Sequence, residues 1–186
     1  MTATTNPPAP LDEGPKPINA WKILISIVVV GFAAFWVWAL FFASKESINK
    51  IDDAAWSERA QSVCAAADTE REGLVDMRVV DQDDPEMIAE RGDIVARATD
   101  ILEKMLDDVV AVAPTDPKGQ ALVPEWEADY RTYLDDRRTF VEILRGGENA
   151  VFAETAVDGI PISEKIARFA ADNHMPDCSP PTDLAS

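Results

Sequence analysis

The residues whose types and spacing are best suited to chemistry lie in an acidic run at positions 81–86, with the sequence DQDDPE. Oxygen ligands at alternating positions are typical of calcium sites, which makes the candidate ligands Asp81, Asp83, Asp84 and Glu86. The helix–loop–helix calcium motif needs an oxygen ligand at its fifth position and glycine at its sixth. Pro85 and Glu86 occupy those positions. A solvated turn before a capped helix explains the same residues more simply, and we expect no resident cofactor.

Other catalytic constellations are absent from the sequence. A di-metal carboxylate bundle uses Glu-x-x-His pairs, but the one histidine, His174, has Ala171 three residues before it. The sequence also lacks G-x-S-x-G, a glycine-rich phosphate loop and H-E-x-x-H. We therefore expect a protein that is not an enzyme. His174 is expected to help finish a helix, and a pH-sensing role for it is the alternative.

The two cysteines, Cys64 and Cys178, are separated by 114 positions and form no C-x-x-C motif. This spacing supports neither a zinc knuckle nor a thioredoxin-type site. Two inert buried thiols are one interpretation. In an exported domain a disulfide is favoured, so we predict that Cys64 and Cys178 are bonded.

Aromatic and charged residues gather between positions 126 and 138. Trp126, Tyr130 and Tyr133 share one helical face. They are candidates to line a ligand pocket, although such a row belongs more often to a core. The run at 135–138, DDRR, is expected to be a solvated face with weak local ion pairs.

The elements that must position these residues begin with an uncharged apolar run at positions 23–43, in which Ser26 is the one polar side chain. As a helix, this run would measure roughly 31 Å, about the thickness of a hydrocarbon core. A cleaved signal peptide has a shorter apolar region that ends in small residues, whereas here Phe41 occupies a position where a small residue is wanted. The sequence therefore predicts an uncleaved signal-anchor helix at 21–43 that lies in the lipid bilayer.

The charge is concentrated on one side of this span. The formal net charge is −17, and the two acids and two lysines before Ile23 cancel. An acidic domain of this kind excludes binding to nucleic acid or anionic lipid by bulk electrostatics. Basic residues flank the span on both sides and do not decide its orientation. A short tail before a first apolar segment, together with a cysteine pair suited to an oxidising space, predicts a cytoplasmic N-terminus and an extracytoplasmic C-terminal domain in the cell membrane.

Four segments follow from these patterns. Residues 1–20 form a Pro-rich tail that cannot bury enough surface to order itself. The span occupies 21–43, an acidic helical domain occupies 44–178, and a flexible tail occupies 179–186. With no proline or glycine between Gly31 and Gly73, we expect the span to continue as a stiff helix to about residue 78, with Ile48 on its inward face.

Helical periodicity predicts the remaining elements of the domain. We expect a helix from Asp84–Pro85 to about Val112, which has the strongest helical period of the domain, a loop at 113–124, and a helix that begins at Pro124 and ends at Arg145. The expected inward face of the helix that begins at Pro124 is Trp126, Tyr130, Tyr133, Leu134, Phe140, Val141 and Leu144. Residues 148–159 are ambiguous and are assigned a short helix with Val151 and Phe152 inward. A last helix is capped by Ser163, and no strand is expected. The predicted fold is all-α, a single N-terminal transmembrane helix followed by a three- to four-helix antiparallel bundle.

This layout is similar to that of many single-pass proteins of the cell envelope, with no motif specific enough to assign residue roles. The leading functional hypothesis is a membrane-anchored, non-enzymatic interaction module with a protein partner. The alternative is an extracytoplasmic ligand- or cation-binding sensor domain that acts through a partner protein. An enzyme is the least favoured class.

Overall fold

The computed structural model describes residues 20–42, 47–74 and 83–184, and the chain divides into two units, Met1–Lys45 and Glu46–Ser186. The described part of the first unit is helix α1, Ala20–Phe41, none of whose residues is buried. This helix is long and apolar enough to cross a membrane, a test that a signal sequence would also pass. The predicted disordered tail lies almost entirely outside the described residues.

The second unit is mostly helical, as the sequence predicts. Its helices are α2 (Ala54–Glu72), α3 (Pro85–Val110), α4 (Pro117–Arg145) and α5 (Ile162–Asp172), and its two short strands are β1 (Ala156–Val157) and β2 (Ile160–Pro161). A 3₁₀ turn at Pro176–Cys178 follows. Helix α3 packs along α4, α2 packs against α3, and α5 packs against α4.

An aspartate caps the start of each of the first three helices of this unit. The carboxylate of Asp53 accepts a hydrogen bond from the backbone N–H of Trp56 at 2.9 Å. Asp84 and Asp116 cap α3 and α4 in the same way, and a proline follows each of them at the first helical position. Both features are typical of helix N-termini, because they satisfy or remove N–H groups that the helix leaves unpaired.

The core confirms the predicted inward face of α4. All seven members of that face are buried: Trp126, Tyr130, Tyr133, Leu134, Phe140, Val141 and Leu144. Most of the core joins α2, α3, α4 and α5 in one cluster. A smaller cluster lies between the start of α3 and the end of α4. There Gly147 has a φ of +77°, and a Cβ on it would lie 2.8 Å from Pro85, so glycine is required after α4.

The predicted stiff helix from the span to residue 78 is wrong. Residues 47–53 are not helical, because contacts with the end of α5 hold them in another conformation. The backbone N–H of Ile51 donates to the side-chain oxygen of Asn173 at 2.8 Å, and the hydroxyl of Ser47 donates to Asp172 at 2.5 Å. Helix α2 then ends at Glu72, and residues 75–82 lie outside the described structure.

The predicted loop at 113–124 is shorter than expected. Helix α4 begins at Pro117, seven residues before the predicted start, and contains Pro124 in its first turns. Proline lacks the N–H that would bond the carbonyl of Gln120. Both Gln120 and Pro124 are exposed, so water can reach that carbonyl. The strong cap at Asp116 therefore outweighs the proline.

The predictions for residues 148–163 are also wrong in part. Residues 148–155 are not helical, and β1 and β2 form an antiparallel hairpin in which Val157 faces Ile160. Phe152 packs against the core, but Val151 is exposed. Ser163 is not a cap, because α5 begins one residue earlier. Its N–H and hydroxyl instead donate to the carboxylate of Glu154 at 2.8 and 2.9 Å.

Candidate functional site

Within the acidic run at 81–86, Asp84 is the N-cap of α3. Asp81 lies outside the described residues. The carboxylate of Asp84 accepts from the backbone N–H groups of Glu86 at 2.9 Å and Met87 at 3.4 Å. Among the described residues, no group of three or more His, Cys, Asp or Glu side chains is placed to hold a metal ion. The helix start accounts for Asp84 without a cation.

Cys64 and Cys178 form a disulfide between α2 and the 3₁₀ turn after α5, with their Cα atoms 5.1 Å apart. Both residues are fully buried in the main core cluster. The bond therefore fixes the end of the chain to α2. Its burial is typical of a structural disulfide rather than an exchanging one.

The other two candidates for chemistry, His174 and the aromatic row of α4, lie in different environments. His174 is exposed and follows α5 with a φ of 59°. Trp126 stacks on Phe169 with ring centroids 5.6 Å apart, and Tyr130 and Tyr133 are buried beside it. Burial raises the pKa of the phenols of Tyr130 and Tyr133, because it disfavours the phenolate. These tyrosines are core residues.

The charged run at 135–138 is only in part the solvated face that the sequence predicts, since Asp135 is exposed but Arg137 is not. Arg137 is fully buried, and its guanidinium makes a bidentate ion pair with Asp183 at 2.8 and 2.9 Å. It also donates to the hydroxyl of Thr99 at 3.1 Å. A buried arginine requires such partners, since an unpaired charge in a core is costly. The next residue, Arg138, pairs with Asp100 and Glu103 on α3.

The same contacts join the domain to the described part of the segment at 179–186, for which the sequence predicts a flexible tail. Asp183 holds Arg137, and the hydroxyl of Tyr133 donates to the carbonyl of Pro181 at 3.4 Å. Leu184 is buried against Ile88 and the end of α4. The segment therefore packs as part of the domain up to residue 184.

A groove of about 610 Å³ lies between α4 and α5. We call it the α4–α5 groove. Helix α4 contributes residues spaced three or four positions apart, which places them on one face, and α5 does the same. The hairpin and residues 48–49 close its sides. Its lining is Ile48, Asn49, Leu122, Glu125, Trp126, Ala128, Asp129, Val157, Asp158, Ile160, Lys165, Arg168 and Phe169.

The apolar part of the α4–α5 groove is unusually exposed. Of the large apolar side chains described in the second unit, Ile48, Val112, Val151 and Val157 are exposed. Ile48 and Val157 both line this groove, at 83% and 39% exposure. Scattered exposed apolar residues are ordinary, but grouped ones mark binding surfaces. The predicted inward position of Ile48 is therefore wrong, because residues 47–53 are not helical.

The charged residues of the α4–α5 groove are unequally paired. Lys165 lies 2.9 Å from Asp129 inside the groove, and Arg168 lies 2.7 Å from Glu164 beside it. No ion pair within the described part of the chain involves Glu125 or Asp158. Both groove bases are thus neutralised by an acid, while two carboxylates keep an uncompensated charge.

Sequence reasoning named one lining residue of this groove, Trp126, as a pocket candidate and missed the rest, although a further signal was present. Asp158-Gly159 lies between Val157 and Ile160, and Asp-Gly between apolar residues is a strong hairpin signal. The two residues have φ values of 55° and 79°, as the corresponding turn requires. The joining of Ile48 to α4 and α5 has no local signal, because it depends on contacts across more than 120 positions.

No protein-family model, no curated protein and no solved structure matches the chain.

Proposed function

We propose that this protein is a membrane-anchored, non-enzymatic interaction module of the cell envelope. Residues 21–43 cross the bilayer as one helix, with the N-terminus in the cytoplasm and the C-terminal domain outside the membrane. That domain is an antiparallel helical bundle that docks a protein partner. The exposed apolar surface of α1 supports the anchor, because about 20 apolar residues in a helix match the thickness of a bilayer core.

The observation that carries the docking function is the grouping of exposed Ile48 and Val157 in the α4–α5 groove. Their contact surface adds to a floor formed by Trp126 and Phe169. Apolar side chains at the centre of a recess with a polar rim are typical of protein–protein interfaces. A second support is the ion pair of Lys165 and Asp129, which joins α5 to α4 on one side of the groove.

Site-specific photo-crosslinking in the native membrane tests the docking function. A benzoylphenylalanine at position 157 should give a discrete crosslink to one partner protein. The matched control carries the same group at Val151, which is exposed but outside the groove. Equal crosslinking from positions 151 and 157, or none from either, would contradict docking at this groove.

Membrane fractionation tests the anchor and its orientation. We expect the full chain to stay in the membrane after alkaline carbonate extraction, and a chain lacking residues 21–43 to be released. Protease added to intact cells should cleave the C-terminal domain and spare an N-terminal tag. Release of the full chain, or cleavage of the tag alone, would contradict the proposed topology.

The volume of the α4–α5 groove supports a second candidate function, an extracytoplasmic ligand-binding sensor that acts through a partner. Small-molecule sites occupy roughly 300–1,000 Å³ and have apolar, partly aromatic linings, and this groove falls within that range. Saturable thermal stabilisation of the full chain by a small molecule, lost in Val157→Ser and kept in Val151→Ser, would favour it. Stabilisation by Ca²⁺ would favour the cation-sensing form.

A further inference from the structure

We propose that the occupant of the α4–α5 groove is a cationic amphipathic peptide segment of the partner protein. This inference rests on the docking function proposed above and identifies the chemistry of the partner. The segment places apolar side chains on the floor of the groove and Lys or Arg side chains against Glu125 and Asp158.

The floor of the groove selects apolar side chains. Trp126 and Phe169 stack at 5.6 Å and are buried beneath it, while Ile48 and Val157 extend the apolar surface into solvent. Covering exposed apolar side chains releases roughly 25 cal/mol for each Å² removed from water. A purely polar or ionic ligand would leave this surface without a partner.

The charges of the groove select a cation. Lys165 is neutralised by Asp129 and Arg168 by Glu164, whereas Glu125 and Asp158 have no ion pair among the described residues. Both carboxylates are exposed, so they can meet a Lys or Arg side chain without leaving water completely. An anionic segment would meet two unpaired acids, and like charges in contact disfavour binding.

The net charge of the chain also favours a cationic partner. The formal charge is −17, and a strongly acidic protein attracts basic partners over distances set by the ionic strength. This field raises the rate of encounter, while the groove determines where the segment binds. The two effects are separable, because neutralising two acids elsewhere changes the field equally without altering the groove.

The test uses the full chain in phosphatidylcholine nanodiscs and a fluorescent amphipathic helix composed of Leu and Lys. Fluorescence anisotropy measures binding, and empty nanodiscs give the lipid background. Matched peptides carry Glu in place of Lys, or Ser in place of Leu. We expect saturable binding of the Leu/Lys peptide, weakening with salt, and at least tenfold weaker binding of both matched peptides. Equal binding of the Leu/Glu peptide, or no binding of the Leu/Lys peptide above the background, would overturn the proposal.

Two pairs of variants locate the site. Glu125→Gln with Asp158→Asn should weaken binding of the Leu/Lys peptide about threefold to tenfold, since exposed ion pairs are individually weak. Asn tolerates the positive φ of position 158. The control, Asp135→Asn with Glu148→Gln, removes the same charge from exposed positions outside the groove. An equal loss in both pairs would show attraction to the net charge alone and would overturn a groove site.

The charge variant Glu125→Gln with Asp158→Asn, together with a further variant, Ile48→Ser, distinguishes failure of this inference from failure of the proposed function. In the native membrane, the crosslink from position 157 should weaken in both the charge variant and Ile48→Ser. If Ile48→Ser removes the crosslink and Glu125→Gln with Asp158→Asn leaves it intact, the docking function stands and the cationic partner is wrong. If neither variant changes the crosslink, both the docking function at this groove and the cationic partner are wrong. The changed groove residues, Ile48, Glu125, Val157 and Asp158, are all exposed, so folding is expected to be preserved.

Discussion

At the scale of single residues, burial of polar groups determines most of what this domain can do chemically. Arg137 and the two tyrosines lie in the core, so their hydrogen bonds and protonation states serve the fold. Glu125 and Asp158 remain in water with no described ion pair. Glu125 and Asp158 are therefore accessible to the partner proposed for the α4–α5 groove, whereas the buried groups report on folding.

Removing Asp183 tests the buried ion pair. Asp183→Asn leaves the guanidinium of Arg137 buried without its carboxylate, a change that costs roughly 3–5 kcal/mol when both partners are fully buried. Asp183 is 24% exposed, so water offsets part of the penalty and we expect a loss of about 2 kcal/mol in the free energy of unfolding. Thermal and denaturant unfolding of the full chain in mild detergent measure it.

The control for this prediction is Asp135→Asn, an exposed change two residues from Arg137 on the same helix. It should alter stability by less than about 0.5 kcal/mol. Replacing both partners, with Arg137→Met and Asp183→Leu, should recover much of the loss, since an apolar pair needs no compensation. Equal stability of Asp183→Asn and the wild type would contradict the role assigned to the pair.

The two tyrosines of the chain predict an alkaline pH dependence. Burial raises the folded-state pKa of Tyr130 and Tyr133 above the unfolded value of ~10. The unfolded chain therefore loses these protons first, so their contribution to stability is intact below pH ~10 and is lost as the pH rises further. Ultraviolet absorbance of tyrosinate should show that both residues are less than half ionised at pH ~10 in the folded chain. Ionisation of both near pH ~10 without unfolding would contradict their burial.

At the scale of elements, caps and chain contacts determine where helices begin more strongly than proline does. Asp116 accepts from the N–H of Gly119 at 2.7 Å and starts α4 well before Pro124. Asn173 and Asp172 hold residues 47–53 out of the helical conformation that the absence of proline and glycine suggests. Local propensity is thus overridden twice, in opposite directions.

Replacing Pro124 tests the first case, in which the Asp116 cap starts α4 in spite of this proline. Proline in a helix interior is about 3 kcal/mol less favourable than alanine, but it also restricts the unfolded chain. We expect Pro124→Ala to stabilise the protein by about 1–2 kcal/mol, measured as a higher Tm. Thr139→Ala, also exposed on α4, serves as the control and should gain at most ~0.7 kcal/mol. A lower Tm for Pro124→Ala would show that the proline is favourable where it lies.

At the scale of the whole molecule, long-range links close the C-terminal domain on itself. The disulfide joins residues 114 positions apart, and Asn173 binds Ile51 across 122 positions. Asp183 pairs with Arg137, and Leu184 packs in the second core cluster. These links hold the walls of the α4–α5 groove, which come from four separate segments of the sequence.

Removing the disulfide should therefore weaken the whole domain. We expect Cys64→Ala with Cys178→Ala to lose about 3–4 kcal/mol of stability, near the upper part of the range for native disulfides, because the closed loop is long. The unfolding free energy of the full chain, with and without reductant, measures this. The double variant has no disulfide, so reductant should not change its free energy of unfolding. It therefore controls for any other effect of the reductant. Equal stability of variant and wild type would contradict a stabilising role for the bond.

The sequence alone determined the features that repeat locally. Apolar residues every three or four positions identified the buried faces of α3 and α4, and the uncharged run identified the apolar helix at the N-terminus. Two lone cysteines were enough to predict their pairing. Capping residues marked the start of α3. The helical faces and the cap follow from neighbours within about one helical turn, which a sequence displays directly, whereas the cysteine pairing follows from the number of cysteines.

Only the tertiary structure decided which individual residues are buried, paired or exposed. Nothing next to Arg137 in the sequence distinguishes it from half-buried Arg138, because the difference is Asp183, 46 positions away. Ile48 would be inward on a continuous helix and is exposed at the groove because Asn173 breaks that helix. Burial and pairing depend on contacts between distant segments, and the energy of those contacts exceeds the local preferences that sequence patterns report.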